Sequence, residues 1–192
     1  MTSPKLRNIL VMLHQHFSEK GVPHALIGAM ALALYGMPRY TADIDLLSDV
    51  HQRKTLLNVM GALGFDCFQD TDNFLQFDSE MGVYGKIDFM LVHTDEGRAV
   101  LERAILVYDD SFGEVPVVQP TDYAVLKLMA IANNPDRKNR DAADLESLFK
   151  AVSAGFINPV FNPIDVAQLK LFAARFGVLD HLEMLLPLLE DI

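Results

Sequence analysis

The amino-acid sequence predicts an α/β fold, in which a small mixed β-sheet is flanked by helices and followed by a helical C-terminal portion. Up to residue 118, short apolar runs typical of strands alternate with segments of helical period. After Pro120, every predicted element is a helix. We therefore divide the chain into an α/β core, residues 1–118, and a helical portion, residues 119–192, that we expect to pack on the core.

The elements of the core follow from apolar spacing and from residues that cap or end helices. Leu6 and Phe17 belong to an apolar series of helical period near the start of the chain. Ser48 or Asp49 is placed to cap a later helix, and Gly64 is placed to end it. The predicted helices of the core cover residues 4–20, 29–35, 51–63 and 94–104, and the predicted strands cover residues 24–27, 42–47, 65–69, 74–78, 84–92, 105–109 and 115–118.

The C-terminal portion contains four predicted helices separated by segments rich in Pro, Gly and Asn. The separators are residues 133–135, residues 155–163 and Gly177. The predicted helices cover residues 121–133, 139–151, 164–176 and 179–189.

Composition bounds the class of protein. With 192 residues that are 51% hydrophobic, the chain can form one substantial core. The formal net charge of −10 argues against a broad basic surface that coats nucleic acid, but it is compatible with a local basic pocket for a triphosphate. One cysteine, Cys67, excludes an intrachain disulfide framework and a cysteine-rich zinc site. No run approaches the roughly 18 apolar residues of a membrane span, so we expect a soluble cytoplasmic protein with no membrane partner.

Three aspartates form the most informative pattern in the chain. Asp43 and Asp45 are two apart on a predicted strand, so their carboxylates point to the same face. Asp88 is an isolated charge in an apolar run, where a carboxylate is costly unless it is paired or bound to metal. If the two strands are neighbours, three carboxylates converge. Such a set is what a two-metal phosphoryl-transfer site needs, with Mg²⁺ ions that bridge nucleotide phosphates. An Asp-X-Asp pair alone is weak evidence, since exposed pairs usually have no function.

The residues around this pair extend the pattern into a longer signature. It consists of Ile27-Gly28-Ala29, thirteen intervening residues, and then Asp43-Ile44-Asp45-Leu46. This string resembles the signature of the nucleotidyltransferase superfamily that includes DNA polymerase β-like enzymes. The fuller string resembles the branch that contains bacterial abortive-infection nucleotidyltransferase toxins. More loosely, Lys127 and the stretch 140–144 resemble a later element of the same branch.

The resemblance implies a nucleotidyltransferase fold and a role for each matching residue. Gly28 and Ala29 would begin a helix whose amides face the nucleotide phosphates. Asp43 and Asp45 would ligate two Mg²⁺ ions, and Asp88 would ligate the catalytic ion and help to deprotonate the acceptor hydroxyl. The family has Gly or Ser where this chain has Ala29, so a phosphate contact from a serine hydroxyl is lost and only the backbone amide remains.

Three further residues have a structural and a functional interpretation. Arg39 either pairs with Asp43 or Asp45 or contacts the triphosphate through its guanidinium group. Thr41 either provides a hydroxyl at the start of a strand or binds the nucleotide. Lys127, within an apolar helical run, either extends along the protein surface or neutralises the nucleotide phosphates.

Two sets of charged residues in the helical portion also have two interpretations each. Asp141 and Asp144 lie on one helical face, where they either face solvent or orient Lys127. Arg137, Lys138 and Arg140 form a basic cluster, which is either a charged loop or a docking surface for a phosphate-rich acceptor. On the predicted strand of Asp88, Lys86 shares the same face and is placed to pair with a carboxylate or to reach a phosphate.

The leading hypothesis is a Mg²⁺-dependent nucleotidyltransferase that moves a nucleoside monophosphate from an NTP such as ATP to a hydroxyl acceptor. The expected acceptor is an RNA 3′ end, a protein side chain or a small molecule. By analogy, the toxin-type members favour the first two, and a cognate antitoxin is a candidate partner. The second hypothesis is a catalytically inactive module of the same fold that binds a nucleotide or a partner. A glycosyltransferase that holds a nucleotide sugar through the Asp-X-Asp pair ranks lower, because too little chain precedes Asp43.

Overall fold

A computed structural model describes residues 4–79, 85–110, 113–134, 136 and 138–189. The predicted α/β class is confirmed, because the described residues form a mixed sheet with flanking helices and a helical C-terminal portion. The helices up to Val118 are α1 (Pro4–Glu19), α2 (Gly28–Leu34), α3 (Arg53–Ala62) and α4 (Asp95–Arg103). The strands are β1 (His24–Leu26), β2 (Asp43–Asp49), β3 (Phe65–Asp70), β4 (Phe74–Ser79), β5 (Lys86–Val92), β6 (Ile105–Asp109) and β7 (Gly113–Val117).

The described strands form one seven-stranded sheet in the order β3-β4-β5-β2-β1-β7-β6. The pairs β2–β5 and β1–β7 are parallel, and the other neighbours are antiparallel. Thus β2 and β5, which carry the three aspartates, are adjacent at the centre of the sheet, while β3 and β6 form its edges.

One face of the sheet is packed by apolar side chains. Phe89 on β5 lies edge to face against Phe17 of α1 and Phe77 of β4, with ring centroids 5.7 and 5.8 Å apart. These three rings are buried, and such pairs add to the stability gained from apolar burial. Because side chains alternate along β5, Asp88 points to the opposite face.

The helices after Val118 are α5 (Pro120–Asn133), α6 (Lys138–Ser153), α7 (Val166–Phe176) and α8 (Leu179–Leu185). One compact unit comprises Met1–Ala31 and Pro38–Val118, and the other comprises Leu32–Met37 and Gln119–Ile192. The short segment Leu32–Met37 therefore belongs with the C-terminal helices, and its Tyr35 ring packs on Tyr123 and Phe161. The sequence contains no signal for this assignment.

Most predicted element boundaries agree with the structure within a few residues, and the differences have local causes. Asp49, rather than Ser48, caps the turn before α3, because its carboxylate accepts from the His51 amide at 2.9 Å. The Ser48 hydroxyl instead donates to the Pro23 carbonyl at 2.7 Å. The last predicted helix ends at Leu185 and continues as a 3₁₀ turn, Leu186–Leu189, since Pro187 has no N–H to donate. The predicted strand start at Tyr84 and the cluster member Arg137 lie outside the described residues.

A pair of histidines is enclosed between α1 and β1. His14 Nδ1 lies 2.9 Å from His24 Nε2, and His24 Nδ1 lies 2.8 Å from the Val22 carbonyl oxygen. Burial is the main cause that lowers the pKa of His24 to about 4, while the Val22 carbonyl opposes this shift and the nearby His14 adds to it. Burial also lowers the pKa of His14, against the attraction of Glu114. The pair is therefore neutral at pH 7.

Among the described residues, no helix combines the length and the apolar character needed to cross a bilayer.

Candidate active site

The parallel pairing of β2 with β5 brings the predicted acids together. Asp45 is directly opposite Asp88, and Asp43 is directly opposite Lys86. Residues opposite one another in a sheet point to the same face, so the side chains of Asp43, Asp45 and Asp88 share the face that the Phe89 ring avoids. One carboxylate oxygen from each aspartate lies within 4.8 Å of the other two. The three acids, partly exposed, thus converge at one point on the sheet, and we call them the acid trio.

The acid trio is a suitable donor set for a hard divalent cation. Mg²⁺ and Ca²⁺ prefer oxygen ligands, and carboxylates supply both the oxygen atoms and the compensating charge. Three like charges held this close repel one another, which favours uptake of a cation between them. The residues present therefore fit a magnesium site, while their role as ligands is a proposal.

Gly28 is fitted against the acid trio. It is the first residue of α2 and has φ +65°, a left-handed conformation that glycine adopts without strain. A Cβ atom added there would lie 2.0 Å from Asp45 Oδ2 and 2.6 Å from Asp45 Cγ, which leaves no room for any other residue. The preceding amide, that of Ile27, donates to the Asp45 carbonyl at 3.0 Å. Gly28 therefore permits both the turn into α2 and the position of the Asp45 side chain.

Ala29 follows Gly28 in α2 and is buried. The first intrahelical bond of α2 runs from the Ala31 amide to the Ile27 carbonyl at 3.5 Å. The amides that precede Ala31 lie in the first turn, where backbone donors have no carbonyl one turn earlier in the helix. The amides of Gly28 and Ala29, which the family resemblance implies as donors to the nucleotide phosphates, belong to this turn, and that role remains a prediction.

Thr41 is buried, and its side chain is bonded to Asp43. Its hydroxyl donates to Asp43 Oδ1 and lies 3.2 Å from the Asp43 carbonyl oxygen. This contact fixes one carboxylate of the acid trio, so Thr41 acts as a positioning residue here, and its predicted nucleotide contact remains a prediction. Arg39 is partly exposed, and its Nη1 donates to the Tyr40 carbonyl at 3.3 Å. Its predicted contact with the triphosphate likewise remains a prediction.

Lys127 belongs to a second charged set, which lies in the C-terminal unit. Its ammonium group donates to Asp141 Oδ1 at 2.7 Å and to Asp144 Oδ2 at 2.6 Å, and all three side chains are buried. The Tyr123 ring centroid lies 5.6 Å from Lys127 Nζ. Of the two interpretations from sequence, the one in which these aspartates orient Lys127 is the one that agrees with the geometry. We call these three charged residues the lysine cluster.

The sequence did not identify Gln76, which lies directly opposite Asp88 on β4. Its neighbours Leu75 and Phe77 are buried, so alternation places Gln76 on the same face as the acid trio. That alternation is readable in the sequence, but the pairing of β4 with β5 is not. Lys86 shares this face, with its ammonium 5.2 Å from the centroid of the Phe68 ring.

Comparison with solved structures identifies several proteins whose fold is similar to that of this chain. The lincomycin-bound crystal structure of the lincosamide antibiotic adenylyltransferase LnuA is 15% identical, covers 72% of this chain and 93% of its own, and gives a TM-score of 0.53. The solution structure of the antibiotic-resistance factor ANT(2'')-Ia is 14% identical, covers 92% of this chain and 97% of its own, and gives a TM-score of 0.62. An antigenic nucleotidyltransferase-like protein from Paracoccidioides brasiliensis is 16% identical, covers 99% of this chain and 94% of its own, and gives a TM-score of 0.59. At these identities the likeness establishes the fold alone.

Comparison of the amino-acid sequence with curated proteins found no match. A family model described as "Nucleotidyl transferase AbiEii toxin, Type IV TA system" matches residues 12–177, well over half of the chain. This match covers the acid trio, Gly28 and the lysine cluster. The chain therefore belongs to the AbiEii nucleotidyl transferase toxin family.

Proposed function

We propose that the protein is a Mg²⁺-dependent nucleotidyltransferase, which transfers a nucleoside monophosphate from an NTP to a hydroxyl acceptor and releases pyrophosphate. The observation that carries the proposal is the convergence of Asp43, Asp45 and Asp88 within 4.8 Å, with Gly28 fitted against Asp45. Membership of a nucleotidyl transferase family supports the same reaction class.

In this proposal the acid trio holds two Mg²⁺ ions, because carboxylate oxygens are the ligands this ion takes. When bound, magnesium neutralises phosphate charge and lowers the pKa of a coordinated hydroxyl. Thr41 keeps the Asp43 carboxylate in place by hydrogen bonding, and Gly28 leaves space for the Asp45 carboxylate.

Each remaining residue has a defined task. The amides of Gly28 and Ala29 donate to the β- and γ-phosphates, since the start of a helix favours anions. Arg39 contributes a guanidinium group that suits phosphate geometry. The acceptor hydroxyl oxygen bonds to the α-phosphorus while the bond from that phosphorus to the β-phosphate oxygen breaks. Pyrophosphate leaves, and the hydroxyl proton passes to a carboxylate oxygen of Asp88. Catalysis then consists mostly of positioning and charge neutralisation.

Membership of the family also supports a proposal for the cellular role. We propose that the protein acts in the cytoplasm as the toxin of a toxin–antitoxin pair and has a cognate antitoxin. Inducible expression of the wild type should then slow growth, and Asp45→Ala should relieve the effect. A harmless wild type at equal expression would count against the toxin role without affecting the proposed chemistry.

A second candidate function is a module of the same fold that binds a nucleotide without turnover. The observation in its favour is Ala29, whose buried methyl group stands where the superfamily has Gly or Ser. The two candidates differ in product formation, because both predict Mg²⁺-dependent binding of an NTP and only the enzyme forms a product.

The test combines calorimetry with a transfer assay. Each NTP is titrated into the protein with Mg²⁺ and with EDTA, and α-³²P-labelled NTPs are then incubated with total RNA, total protein and small hydroxyl compounds. We expect Mg²⁺-dependent binding, a labelled acceptor and released pyrophosphate. Glu102→Gln, at an exposed acid on α4, is the matched control and should behave as the wild type. Binding without label on any acceptor would favour the module, and absence of Mg²⁺-dependent binding would overturn both candidates.

A further inference from the structure

The sheet has two outer edges, and the β3 edge is the protected one. The register of β3 with β4 shifts between Cys67 and Gln69, and Asp66 and Asp70 place negative charge on the strand. Arg53 pairs with Asp70 beside the turn that joins β3 to β4. Irregular register and charged side chains are means by which proteins prevent an edge strand from pairing with another chain. The β3 edge is therefore poorly suited to accept a further strand.

The β6 edge lacks these protections. Its register with β7 is continuous from Ile105 to Asp109, and the charged residue on the strand, Asp109, is its last. Leu106 and Tyr108 are 52% and 71% exposed. Among the strands that the structure describes, none lies beyond β6. A regular edge strand with exposed apolar side chains is a site for pairing with a strand of another molecule.

Leu106 and Tyr108 also direct their main-chain groups toward this open edge. The Val118 amide, directly after β7, donates to the Leu26 carbonyl of β1 at 3.3 Å. Main-chain groups alternate in direction along a strand, so those of Pro116 also point to β1. Leu106 is opposite Pro116 and therefore exchanges no hydrogen bonds with it. The N–H and C=O groups of Leu106, and those of Tyr108 two residues later, thus point away from β7.

These directions restrict how β6 can pair with a second β6. In an antiparallel pair, residues whose main-chain groups face the partner strand must be opposite one another. If Leu106 of one copy is opposite Tyr108 of the other, both residues of both copies exchange hydrogen bonds, and Val107 is opposite its own counterpart on a twofold axis. The neighbouring registers place Leu106 or Tyr108 opposite itself and leave the other residue opposite a position outside β6. The register centred on Val107 is therefore the one that uses the whole strand.

The side chains and charges of the β6 edge agree with this register. Residues opposite one another share a face, so each Leu106 side chain would pack on the Tyr108 ring of the other copy. Arg103 precedes β6, and residues 109–110, both aspartates, lie at its far end. Antiparallel pairing brings the basic start of one strand beside the acidic end of the other. An edge that is complementary to itself in both hydrogen bonding and charge fits a second copy of this chain.

We infer that β6 pairs antiparallel with β6 of a second copy, with Val107 on the twofold axis, and that the protein forms a homodimer whose sheet is continuous across both copies. The acid trio lies on β2 and β5, and β1 and β7 separate these strands from β6. The inference is therefore independent of the proposed function, and dimer formation should leave Mg²⁺–NTP binding unchanged.

Sedimentation velocity of the full chain tests the association. The protein is compared from about 5 to about 500 μM in 0.15 M salt, which screens the repulsion between two copies of net charge −10. An interface made by one pair of strands is small, so we expect a reversible dimer within this concentration range. Leu106→Lys and Tyr108→Lys should each raise the Kd of the dimer by about tenfold or more.

Leu171→Lys is the matched control for these two variants. Leu171 lies on α7 and is 63% exposed, so its replacement adds the same charge at a similarly exposed apolar position and should leave the Kd unchanged. A wild type that stays monomeric over the whole range would overturn the inference. Equal effects of Leu171→Lys and Tyr108→Lys would also overturn it, because the change would then reflect net charge and not the β6 edge.

A cysteine scan tests the register, in a chain whose own thiol is removed by Cys67→Ser. Val107→Cys places two thiols opposite one another on the axis, where Cα atoms are about 4.5 Å apart, within reach of a disulfide. Leu106→Cys and Tyr108→Cys are the controls. Their side chains are more exposed, but each lies diagonal to its own counterpart at about 7–8 Å, beyond the usual reach of a disulfide.

Mild oxidation followed by a non-reducing gel reads out the scan. We expect a cross-linked dimer from Val107→Cys and monomers from Leu106→Cys and Tyr108→Cys. Collisions between free molecules would give the reverse order, since the more exposed thiols would react first. That reverse order, or absence of a cross-link at Val107→Cys, would overturn the inference.

Discussion

The two units of the molecule each contain a set of converging carboxylates, and the sets differ in composition and burial. The acid trio consists of aspartates only and is partly exposed on a sheet face. The lysine cluster holds its own cation between two aspartates and is buried within a helical unit. A set made only of acids is suited to binding a cation from outside, whereas the lysine cluster carries its own cation. Similar residue types thus form an all-acid set that suits an external cation in one unit and an internal ion-pair cluster in the other.

Substitution in the acid trio should give the largest change in activity. Asp88→Asn should lower nucleotidyl transfer by about 10³-fold, because the proton acceptor and one metal ligand are weakened, while NTP binding is retained. Asp45→Ala should abolish both Mg²⁺-dependent binding and transfer and leave the fold intact. Steady-state transfer and calorimetry measure the two effects. Unchanged turnover of Asp88→Asn would remove it from the role of base.

Substitution in the lysine cluster should instead give the largest change in stability. Lys127→Met leaves two buried carboxylates without their cation and should lower the free energy of unfolding by about 3–5 kcal/mol. Lys150→Met removes the exposed partner of Glu146 and should cost less than about 1 kcal/mol. Urea unfolding measures both. Equal losses in the two variants would mean that the cluster contributes no more than a surface ion pair.

The histidine pair of the first unit should make the free energy of unfolding depend on pH. The pKa of His24 is about 4 in the folded protein and about 6.5 when unfolded, so the unfolded chain binds more protons between these values. Stability from this group is complete above pH 6.5 and is lost as the pH falls toward 4, by at most about 3 kcal/mol. Urea unfolding across this range should show the decline. His24→Gln should flatten it, and an unchanged decline in His24→Gln would contradict this assignment.

Gly28 links the fold of the first unit to its acid trio. Gly28→Ala introduces a Cβ atom 2.0 Å from Asp45 Oδ2, so it should displace that carboxylate and weaken Mg²⁺-dependent NTP binding by about tenfold or more. Gly21→Ala is the matched control, since Gly21 has φ +64° and nothing within 4 Å of an added Cβ. Both variants should lose about 1 kcal/mol from backbone strain, and only Gly28→Ala should lose binding. Equal binding by the two variants would contradict the contact with Asp45.

The smallest effect is expected at Thr41. Thr41→Val keeps the shape of the side chain and removes the hydroxyl that donates to Asp43, so transfer should fall by roughly fivefold. Thr41→Ser should restore the rate, because the serine hydroxyl can make the same bond. A rate for Thr41→Val equal to that of the wild type would show that Asp43 needs no such support.

Much of the fold was predictable because it depends on local signals. Alternation in β5, the cap at Thr94 and the positive φ of Gly64 are each fixed by a few neighbouring residues, and the predicted elements follow them. The grouping of Leu32–Met37 with the C-terminal helices was not predictable, because it depends on packing of Tyr35 against residues far along the chain.

The candidate site likewise combines features that were predictable from the local sequence with features that were not. The spacing of Asp43 and Asp45 placed them on one face, and the isolated charge of Asp88 suggested a third member. The pairing of β2 with β5 then brings the three together, as the sequence hypothesis required. The position of Gln76 opposite Asp88 depends on strand register, which no local pattern encodes. The contact between Thr41 and Asp43 is local, but it rests on a rotamer that the sequence leaves open.

The central claim is that Asp43, Asp45 and Asp88 together bind a divalent cation. Paramagnetic broadening by Mn²⁺ in NMR spectra of the ¹⁵N-labelled protein, with a non-hydrolysable NTP present, tests it most directly. Broadening should centre on the amides of these three residues, and Asp45→Ala should remove it. Broadening centred instead on the acidic turn at Asp70 and Asp72, or unchanged in Asp45→Ala, would contradict the claim.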